Sequence, residues 1–259
     1  IRAGLEDVSF SRPAKDMPWG IPVPGDASQT MYVWCDALSN YITALGFGSP
    51  DLARFKDFWP ADLHVVGKDI LRFHAVIWPA TLLSAGLPIP KAVFVHGFIL
   101  SGGKKMSKTL GNVIDPADVI ARYGHDALRY YLLREIQTFD DGDFTEARFR
   151  DAYNSGLANG LWNYVSRVAK MIEQYFGGVL ERPTPEELAR VPIKKQSSFF
   201  SGSGDASTIE TVSLRYFFEK IVEPAYGRAL EQYELKKAMD IVWEALGELD
   251  AYVGLYEPF

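Results

Sequence analysis

The chain has 259 residues, 47% of them hydrophobic and 23% charged, which is the composition of a globular protein with a sizeable core and not of a membrane-spanning chain. Its net charge of −6 excludes a protein that coats nucleic acid indiscriminately, although a local basic patch could still bind RNA. The single cysteine, Cys35, excludes an internal disulfide and a cysteine-clustered zinc site within this sequence, and it fits a reducing cytoplasm.

Strand-like and helical patterns alternate after an opening stretch, residues 1–29, that is rich in Pro and Gly and is expected to be the end of a larger segment. Short apolar runs are typical of strands, and apolar residues three and four apart are typical of helices. Their alternation predicts a parallel α/β sheet over residues 30–100. In chain order, the strand and helix candidates are residues 31–34, 36–45, 63–66, 69–84 and 92–98.

The sequence pattern changes after residue 100. Residues 101–148 are expected to form a charged loop and two short helices, and residues 149–259 an all-α bundle. A Ser-, Gly- and Lys-rich stretch, residues 194–207, is predicted to be a mobile loop. The predicted helices cover residues 116–122, 126–135, 186–190, 213–230 and 234–253, and a core stripe at helical spacing consists of Leu157, Leu161, Tyr164 or Val165, Val168 and Ile172.

The sharpest motif is Lys105-Met106-Ser107-Lys108, which follows the glycine pair Gly102-Gly103. Glycines make a loop flexible, so its ammonium groups could swing onto a polyphosphate and leave again. Attack on the α-phosphate of ATP sends negative charge into the leaving pyrophosphate, and lysines stabilise that charge most in the transition state. A solvated basic loop is the alternative interpretation of such a pair of lysines.

The stretch KMSKTLGNVIDP, residues 105–116, resembles the KMSKS loop of class I aminoacyl-tRNA synthetases and the segment that follows it. Thr109 stands where that family usually has its last serine, and it keeps the hydroxyl. The resemblance implies that Lys108 is the main ATP-contacting lysine, that Lys105 is its partner, and that ATP is bound together with Mg²⁺.

A second motif begins where a predicted strand ends at Gly67 and a helix starts with Asp69 in its first turn. Ligands bind at the carboxyl ends of parallel strands, and a helix N-terminus adds backbone donors. Ile70, His74 and Trp78 follow at a spacing of four and therefore share one helix face. In the alternative interpretation, Ile70 and Trp78 are core residues and His74 is a buried polar group whose hydrogen bonds are satisfied.

The block HVVGKDILRFHAVIWPATLLSAGLPIP, residues 64–90, is very similar to the corresponding segment of methionyl-tRNA synthetases. This resemblance implies that Ile70, His74 and Trp78 help to form a methionine pocket. It also implies that Gly67 and Asp69 lie near the ribose of the nucleotide.

The segment YVWCDALSNY, residues 32–41, looks like the pocket-forming strand and turn of the same family. A thioether favours polarizable aromatic surroundings, which this segment could supply. The alternative is that its first residues are simply packed strand residues. The WGIPVP stretch, residues 19–24, resembles the place where the family's connecting insertion rejoins the catalytic fold. The positions that match the family's methionine pocket are Trp34, Ala37, Leu38 and Tyr41.

Asn159, Asn163 and Arg167 recur every four positions along one side of a predicted helix. Amides and guanidinium groups recognise unstacked base edges in RNA, whereas the alternative is an ordinary solvated face. The surrounding segment, residues 154–167, resembles the first anticodon-domain helix of methionyl-tRNA synthetases, which implies that Asn163 and Arg167 contact the anticodon, with Asn159 as a weaker candidate. Phe259, at the end of Glu257-Pro258-Phe259, matches that family's base-stacking aromatic, with Phe in place of the usual Trp.

Together these resemblances imply ATP-dependent ligation of L-methionine to tRNA(Met) through methionyl-adenylate, on the second half of a Rossmann-like sheet followed by a helical anticodon-binding bundle. No metal site is expected within the sequence. Another class I synthetase, for cysteine or leucine, and a non-catalytic tRNA-binding fragment remain alternatives. None of the 4 histidines occurs in the His-x-Gly-His motif of class I synthetases, so a further N-terminal portion of the enzyme is expected as a partner and the fragment alone is expected to be inactive.

Overall fold

The computed structural model describes residue 4, residues 8–196 and residues 209–256 of the chain. The protein is mixed α/β over these residues, as the sequence predicted. It divides into two compact units, Ile1–His96 and Gly97–Phe259. Within the described ranges, none of the helices is long and apolar enough to cross a membrane.

Two small sheets and short helices make up the described part of the first unit. One sheet is antiparallel and contains β1 (Ser11–Pro13), β2 (Pro22–Val23) and β3 (Asp26–Met31), with β3 in the middle. The other contains β4 (His64–Gly67) and β5 (Val93–His96), which pair in parallel along their whole length. The helices are α1 (Val33–Thr43), α2 (Ala53–Phe58) and α3 (Trp78–Ser84), and a 3₁₀ turn (Lys68–Ile70) and a π-helical turn (Phe73–Ile77) precede α3.

The strand predicted at residues 31–34 is wrong. Met31 ends β3, Tyr32 is the extended residue before α1 with φ −70° and ψ 136°, and Val33 and Trp34 are helical. An apolar run this short is compatible with either state, and the helix places Trp34 on the same face as the buried Leu38. The strand itself consists mostly of polar residues, and its backbone groups pair with β1 and β2 on either side.

The core of the first unit lies between α1, α3 and the loop before β4. Trp59 fixes that loop, because its indole N–H donates to the carbonyl oxygen of Pro88 at 2.9 Å. This core holds α1 against the helical segment that follows β4. Its buried members, each at most 8% exposed, are Leu38, Ile42, Trp59, Trp78 and Leu82.

The described part of the second unit starts with a small sheet and continues mainly with helices. In the sheet, β6 (Ile99–Ser101) lies between the antiparallel β7 (Lys104–Lys105) and the parallel β8 (Gly142–Phe144). The helices are α4 (Pro116–Tyr123), α5 (His125–Arg134), α6 (Glu146–Ala152), α7 (Asn163–Phe176), α8 (Pro185–Arg190), α9 (Leu214–Tyr216), α10 (Glu223–Glu231) and α11 (Leu235–Tyr256). Two π-helical segments, Tyr153–Trp162 before α7 and Phe217–Val222 before α10, and the strands β9 (Pro192–Gln196) and β10 (Ile209–Ser213) complete it.

The expectation that residues 149–259 form an all-α bundle is wrong. The strands β9 and β10 pair as an antiparallel ladder among the helices. Ile193 and Val212 lie opposite each other in it, and β-branched residues at paired positions favour strands. Ile193 is 1% exposed and packs into a core with Phe217, so burial of one face stabilises the strands. The Ser-, Gly- and Lys-rich composition concealed this pattern. Residues 194–196 of the predicted mobile loop belong to β9, and its residues 197–207 lie outside the described residues.

The core stripe predicted from Leu157 to Ile172 is half-buried and not fully buried. Leu157, Leu161, Tyr164, Val168 and Ile172 are each partly exposed, and Leu157 packs against a buried core. No residue of α7, which the structure describes throughout, is buried, and Val165 is 44% exposed. A fully buried core of this unit is formed by α4, α5, α6 and β8, through Val119, Ala127, Leu128, Tyr130, Tyr131, Phe144, Phe149 and Ala152.

Candidate functional site

Two helical segments of the first unit bring aromatic side chains together. Trp34 and Tyr41 lie on the face of α1 that also buries Leu38. The segment after β4 carries Phe73 and His74. Trp34 stacks on Phe73 with their ring centroids 3.9 Å apart, and it meets the His74 ring edge-on at 6.2 Å. The result is an aromatic surface that suits an apolar or thioether ligand.

A chain of hydrogen bonds fixes His74 within this aromatic surface. Its Nδ1 lies 3.0 Å from the carbonyl oxygen of Ile70, which can only accept, so Nδ1 carries a proton. In the neutral ring Nε2 is then an acceptor, and the Tyr41 hydroxyl, 2.9 Å away, donates to it. Burial raises the pKa of Tyr41, which keeps this donor protonated. The imidazole is therefore held in one tautomer and one orientation.

Behind the aromatic surface lies a second imidazole, His64, which sequence reasoning missed. The indole N–H of Trp78 donates to His64 Nε2 at 3.2 Å, so this nitrogen carries no proton and the ring is neutral. Burial lowers the pKa of His64, and the electrostatic interaction with the neighbouring titratable imidazole of His74 lowers it further. The ring centroid of Tyr41 lies 4.3 Å from that of His64 and thus links the two imidazoles. The position of His64 at the start of a predicted strand gave no sign of these partners.

The predicted methionine-pocket residues differ in how far they are buried. Trp78 is 0% exposed, as the core interpretation predicted, and its N–H group is already bound. His74 is a satisfied buried polar group, and Ile70 takes part in its hydrogen bonding through a backbone oxygen. Leu38, His74 and Trp78 are buried, Trp34 and Ile70 are half-buried, and Ala37 and Tyr41 are at the surface.

The predicted ribose-binding residues lie at the carboxyl end of the parallel sheet. Gly67 is the last residue of β4 and pairs with His96, the last residue of β5. A Cβ added at Gly67 would lie 3.0 Å from Oδ1 of Asp69, so glycine lets this carboxylate lie back against the strand end. The ends of parallel strands are where open α/β sheets bind ligands. Throughout residues 8–196 and 209–256, no cluster of three or more His, Cys, Asp or Glu side chains could hold a metal ion.

In the second unit, the predicted lysines follow a tight turn. Gly102 and Gly103 connect β6 to β7 with positive φ angles of 60° and 73°, as the two central residues of a two-residue hairpin turn require. The backbone N–H of Gly103 donates to the carboxylate of Asp143 in β8 at 2.8 Å. The glycines therefore form a defined two-residue hairpin turn.

Lys105 lies in β7, and Lys108 follows in the loop beyond it. The Lys105 ammonium group is 4.1 Å from the ring centroid of Phe98, which is a cation–π distance. The carbonyl oxygen of Lys108 accepts from the N–H of Gly111 at 3.2 Å. Both lysine side chains are exposed on the surface of the second unit, where they are accessible to an anion.

The three predicted anticodon-binding side chains meet at one cavity of about 390 Å³ within the second unit. Asn159 belongs to the π-helical segment before α7, and Asn163 and Arg167 belong to α7 itself. The opposite wall is formed by α11 through Trp243, Leu246, Gly247 and Asp250. Phe259 lies outside the described residues.

Arg167 is already paired in this cavity. Its guanidinium group forms an ion pair with the Asp250 carboxylate and also donates to the Asp250 carbonyl oxygen at 3.3 Å. Burial raises the pKa of the nearby Tyr164, and the charge of Asp250 raises it further while Arg167 opposes the change. Sequence reasoning missed Asp250 because it lies 83 residues from Arg167 in the chain and only the fold brings the two together.

Comparison with known proteins gives consistent matches. A family model described as tRNA synthetases class I (M) matches residues 1–169. The methionine–tRNA ligase of Caldanaerobacter subterraneus subsp. tengcongensis is 54% identical over 187 residues, which cover 72% of this chain and 29% of that protein. The methionine–tRNA ligase of Thermotoga maritima is 40% identical over 259 residues, covering 100% of this chain and 37% of that protein. A crystal structure of Mycobacterium tuberculosis methionyl-tRNA synthetase bound by methionyl-adenylate is similar with a TM-score of 0.78 and 34% identity, covering 99% of this chain and 46% of that one.

The matched residues make up most of this chain but only a minor part of each relative. The chain spans only 29% and 37% of the length of the two methionine–tRNA ligases. The family model nevertheless covers well over half of the chain, since it matches residues 1–169. The chain therefore belongs to the methionyl-tRNA synthetase family of class I aminoacyl-tRNA synthetases.

Proposed function

We propose that the chain is part of an enzyme that uses ATP to ligate L-methionine to tRNA(Met). A carboxylate oxygen of methionine attacks the α-phosphorus of MgATP, which forms methionyl-adenylate and releases pyrophosphate. A hydroxyl of the terminal ribose of the tRNA then attacks the methionyl carbonyl carbon, which forms the ester and releases AMP. Since no covalent intermediate with the protein is needed, binding geometry and electrostatics supply most of the acceleration.

The aromatic surface around His74 is the observation that carries this proposal. The stacked pair Trp34 and Phe73 offers polarizable faces, and contact between sulfur and such a ring contributes about 0.3–1.5 kcal/mol. His74 is 2% exposed and has both ring nitrogens occupied within the protein, by Ile70 and Tyr41, so it orders the wall behind the aromatic surface. A thioether side chain fits this lining better than the short thiol of cysteine, whereas leucine gains no sulfur contact.

Roles in binding ATP are assigned to four residues, each described within its own unit. At the carboxyl end of β4, Gly67 and Asp69 bind the ribose, with the sheet as the second half of a Rossmann-like fold. Lys105 and Lys108 stabilise the negative charge that moves into pyrophosphate during the first step. The neighbouring ring of Phe98 and the tight turn at Gly102-Gly103 support Lys105 for this role.

The tRNA-binding role is assigned to the cavity between α7 and α11. Asn163 and Arg167 bind anticodon bases there, and Asn159 assists them. Support comes from their convergence on one cavity together with Trp243, whose ring offers a surface on which a base can stack. We accordingly assign residues 1–29 to the end of the connecting insertion, 30–100 to the catalytic fold, 101–148 to the lysine loop and stem-contact region, and 149–259 to the anticodon-binding region.

The complete activity needs a further portion of the enzyme, because the β4–β5 sheet has one uncovered face. Val66 of β4 is 3% exposed, whereas its neighbour Val65, which points to the other face, is 62% exposed. Parallel sheets in proteins are normally covered on both faces. We therefore expect the chain alone to be inactive, and we place the enzyme in the cytoplasm, where it would serve protein synthesis.

Methionine-dependent exchange of pyrophosphate into ATP by the full-length protein that carries this chain tests the proposal. We expect exchange with methionine and none with cysteine or leucine. Trp34→Ala should raise the KM for methionine by about 10- to 100-fold, which corresponds to about 1.4–2.8 kcal/mol, because the stacked pair is lost. Trp162→Ala is the matched control. Trp162 lies in the second unit and is 65% exposed, so its substitution should leave the KM for methionine unchanged. Exchange driven by another amino acid would overturn the assignment.

A further inference from the structure

The side chain of Asn112 bridges two points of the lysine-bearing loop. Its Oδ1 accepts a hydrogen bond from the backbone N–H of Ser107 at 2.9 Å. Its Nδ2 donates to the carbonyl oxygen of Lys105 at 3.2 Å. The two bonded groups flank Met106, whose side chain packs against the core of the second unit. The backbone between the two lysines is thus held both by the Asn112 amide and by the packing of Met106.

Further hydrogen bonds close the loop on itself. The hydroxyl oxygen of Ser107 accepts from the N–H of Leu110 at 3.1 Å, and the carbonyl oxygen of Lys108 accepts from Gly111 at 3.2 Å. Asn112 follows directly and is half-buried. Only an amide of this length supplies one acceptor and one donor at these two points, since a carboxylate lacks the donor and alanine lacks both.

We propose that Asn112 is a positioning residue for Lys105 and Lys108, acting by fixing the backbone from which both side chains extend. The proposal rests on the proposed function of the two lysines as ligands of the triphosphate. Ammonium groups stabilise a developing charge best when they are already in place, because no reorganisation is then needed during the reaction. A displacement of about 1 Å at such a site can cost on the order of 100-fold in rate.

Kinetics of pyrophosphate exchange by the full-length protein test this role. Asn112→Ala should lower kcat about 10- to 100-fold and leave the KM for methionine unchanged. Asn112→Asp keeps the acceptor for Ser107 and loses the donor to Lys105, so its kcat should lie between the kcat of Asn112→Ala and that of the unsubstituted protein. Asn154→Ala, an exposed asparagine outside the loop, is the matched control and should behave as the unsubstituted protein.

A double-variant cycle separates positioning from a general structural role. If Asn112 acts through Lys108, Asn112→Ala should lower kcat by a much smaller factor in the Lys108→Ala variant than in the unsubstituted protein. Independent, multiplicative effects would overturn the proposal. If Lys108→Ala itself leaves exchange unchanged, the proposed function of the loop fails. If Lys108→Ala abolishes exchange while Asn112→Ala does not slow it, the positioning role alone fails.

Hydrogen exchange in the 259-residue chain provides a readout that does not need catalysis. The backbone N–H of Ser107 should exchange at least about 10-fold faster in Asn112→Ala, because its acceptor is lost. The N–H of Gly103, bound to Asp143 in the neighbouring turn, should keep its rate. An unchanged rate at Ser107 would show that the bridge does not fix the loop and would overturn the proposal.

Discussion

His64 is held as a neutral ring at the centre of the aromatic cluster. It is 5% exposed, it accepts the N–H of Trp78, and its nearest titratable neighbours in the cluster are His74 and Tyr41. Burial lowers its pKa below the unfolded value of 6.5. The unfolded chain therefore binds more protons than the folded one at mildly acidic pH, so this contribution to stability is complete above the unfolded pKa and is lost as the pH falls from there toward the folded pKa.

We predict that the free energy of unfolding of the first unit falls between about pH 7 and about pH 5, and that His64→Gln reduces this fall. Glutamine cannot be protonated, yet its amide oxygen can still accept the N–H of Trp78. Urea unfolding followed by tryptophan fluorescence at a series of pH values measures the effect. His125→Gln is the control, since that side chain is 74% exposed and should leave the fall unchanged. Equal pH dependence in His64→Gln and the unsubstituted chain would contradict the prediction.

At the scale of elements, the β6–β7 hairpin depends on the conformation of its two glycines. Gly103 has a φ of 73°, and nothing lies within 4 Å of a Cβ added there, so backbone strain is the only cost of a side chain. We predict that Gly103→Ala lowers the free energy of unfolding of the second unit by about 1–2 kcal/mol. Thermal unfolding followed by circular dichroism measures it.

Gly227 provides the matched control for that substitution. It lies inside α10 with open space around an added Cβ and without a positive φ. Alanine is favoured over glycine in a helix interior, so Gly227→Ala should stabilise the protein by about 0.5–1 kcal/mol. Glycine to alanine should thus lower the free energy of unfolding at position 103 and raise it at position 227. Equal changes at the two positions would refute the assignment of Gly103 to a strained turn.

How far the sequence predicted the elements depended on whether their signals are local. The helices α4 and α5 were predicted to within one or two residues, because their caps and apolar spacing lie within the segment itself. The strands β9 and β10 were missed, because the pairing of Ile193 with Val212 and their burial are set by residues distant in the chain. The stripe from Leu157 to Ile172 was predicted from spacing within one segment and is half-buried, whereas its full burial was not found.

The candidate site divides in the same way. Trp34, Tyr41 and His74 follow from motifs within single segments. His64, Asn112 and Asp250 act through partners that only the fold provides, namely Trp78, the backbone of Lys105 and Arg167. The hydrogen bond between Tyr41 and His74 spans 33 residues, and no spacing in the sequence indicates it.

On the scale of the whole molecule, the net charge of −6 means that the proposed RNA binding would have to come from local groups and not from a general attraction. The cavity between α7 and α11 offers two amides, a guanidinium group and an indole. The carboxylate of Asp250 neutralises Arg167 there, so an RNA ligand must compete with an existing ion pair. Such competition weakens binding of any phosphate and leaves hydrogen bonding to bases as the main source of affinity.

We therefore predict that the chain binds an anticodon stem-loop of tRNA(Met) and that Asn163→Ala/Arg167→Ala weakens this binding at least about 10-fold, since each lost base contact costs about 1–3 kcal/mol. The double variant should also lose most of its discrimination against a stem-loop with changed anticodon bases. Titration of fluorescent stem-loops at several salt concentrations measures both effects. In the control, Asn154→Ala/Arg190→Ala, the same residue types are changed at exposed positions outside the cavity lining, so discrimination should persist and only a small, sequence-independent loss should occur. Equal losses in the two double variants would mean that charge alone binds the RNA, and the anticodon role of the cavity would then fail.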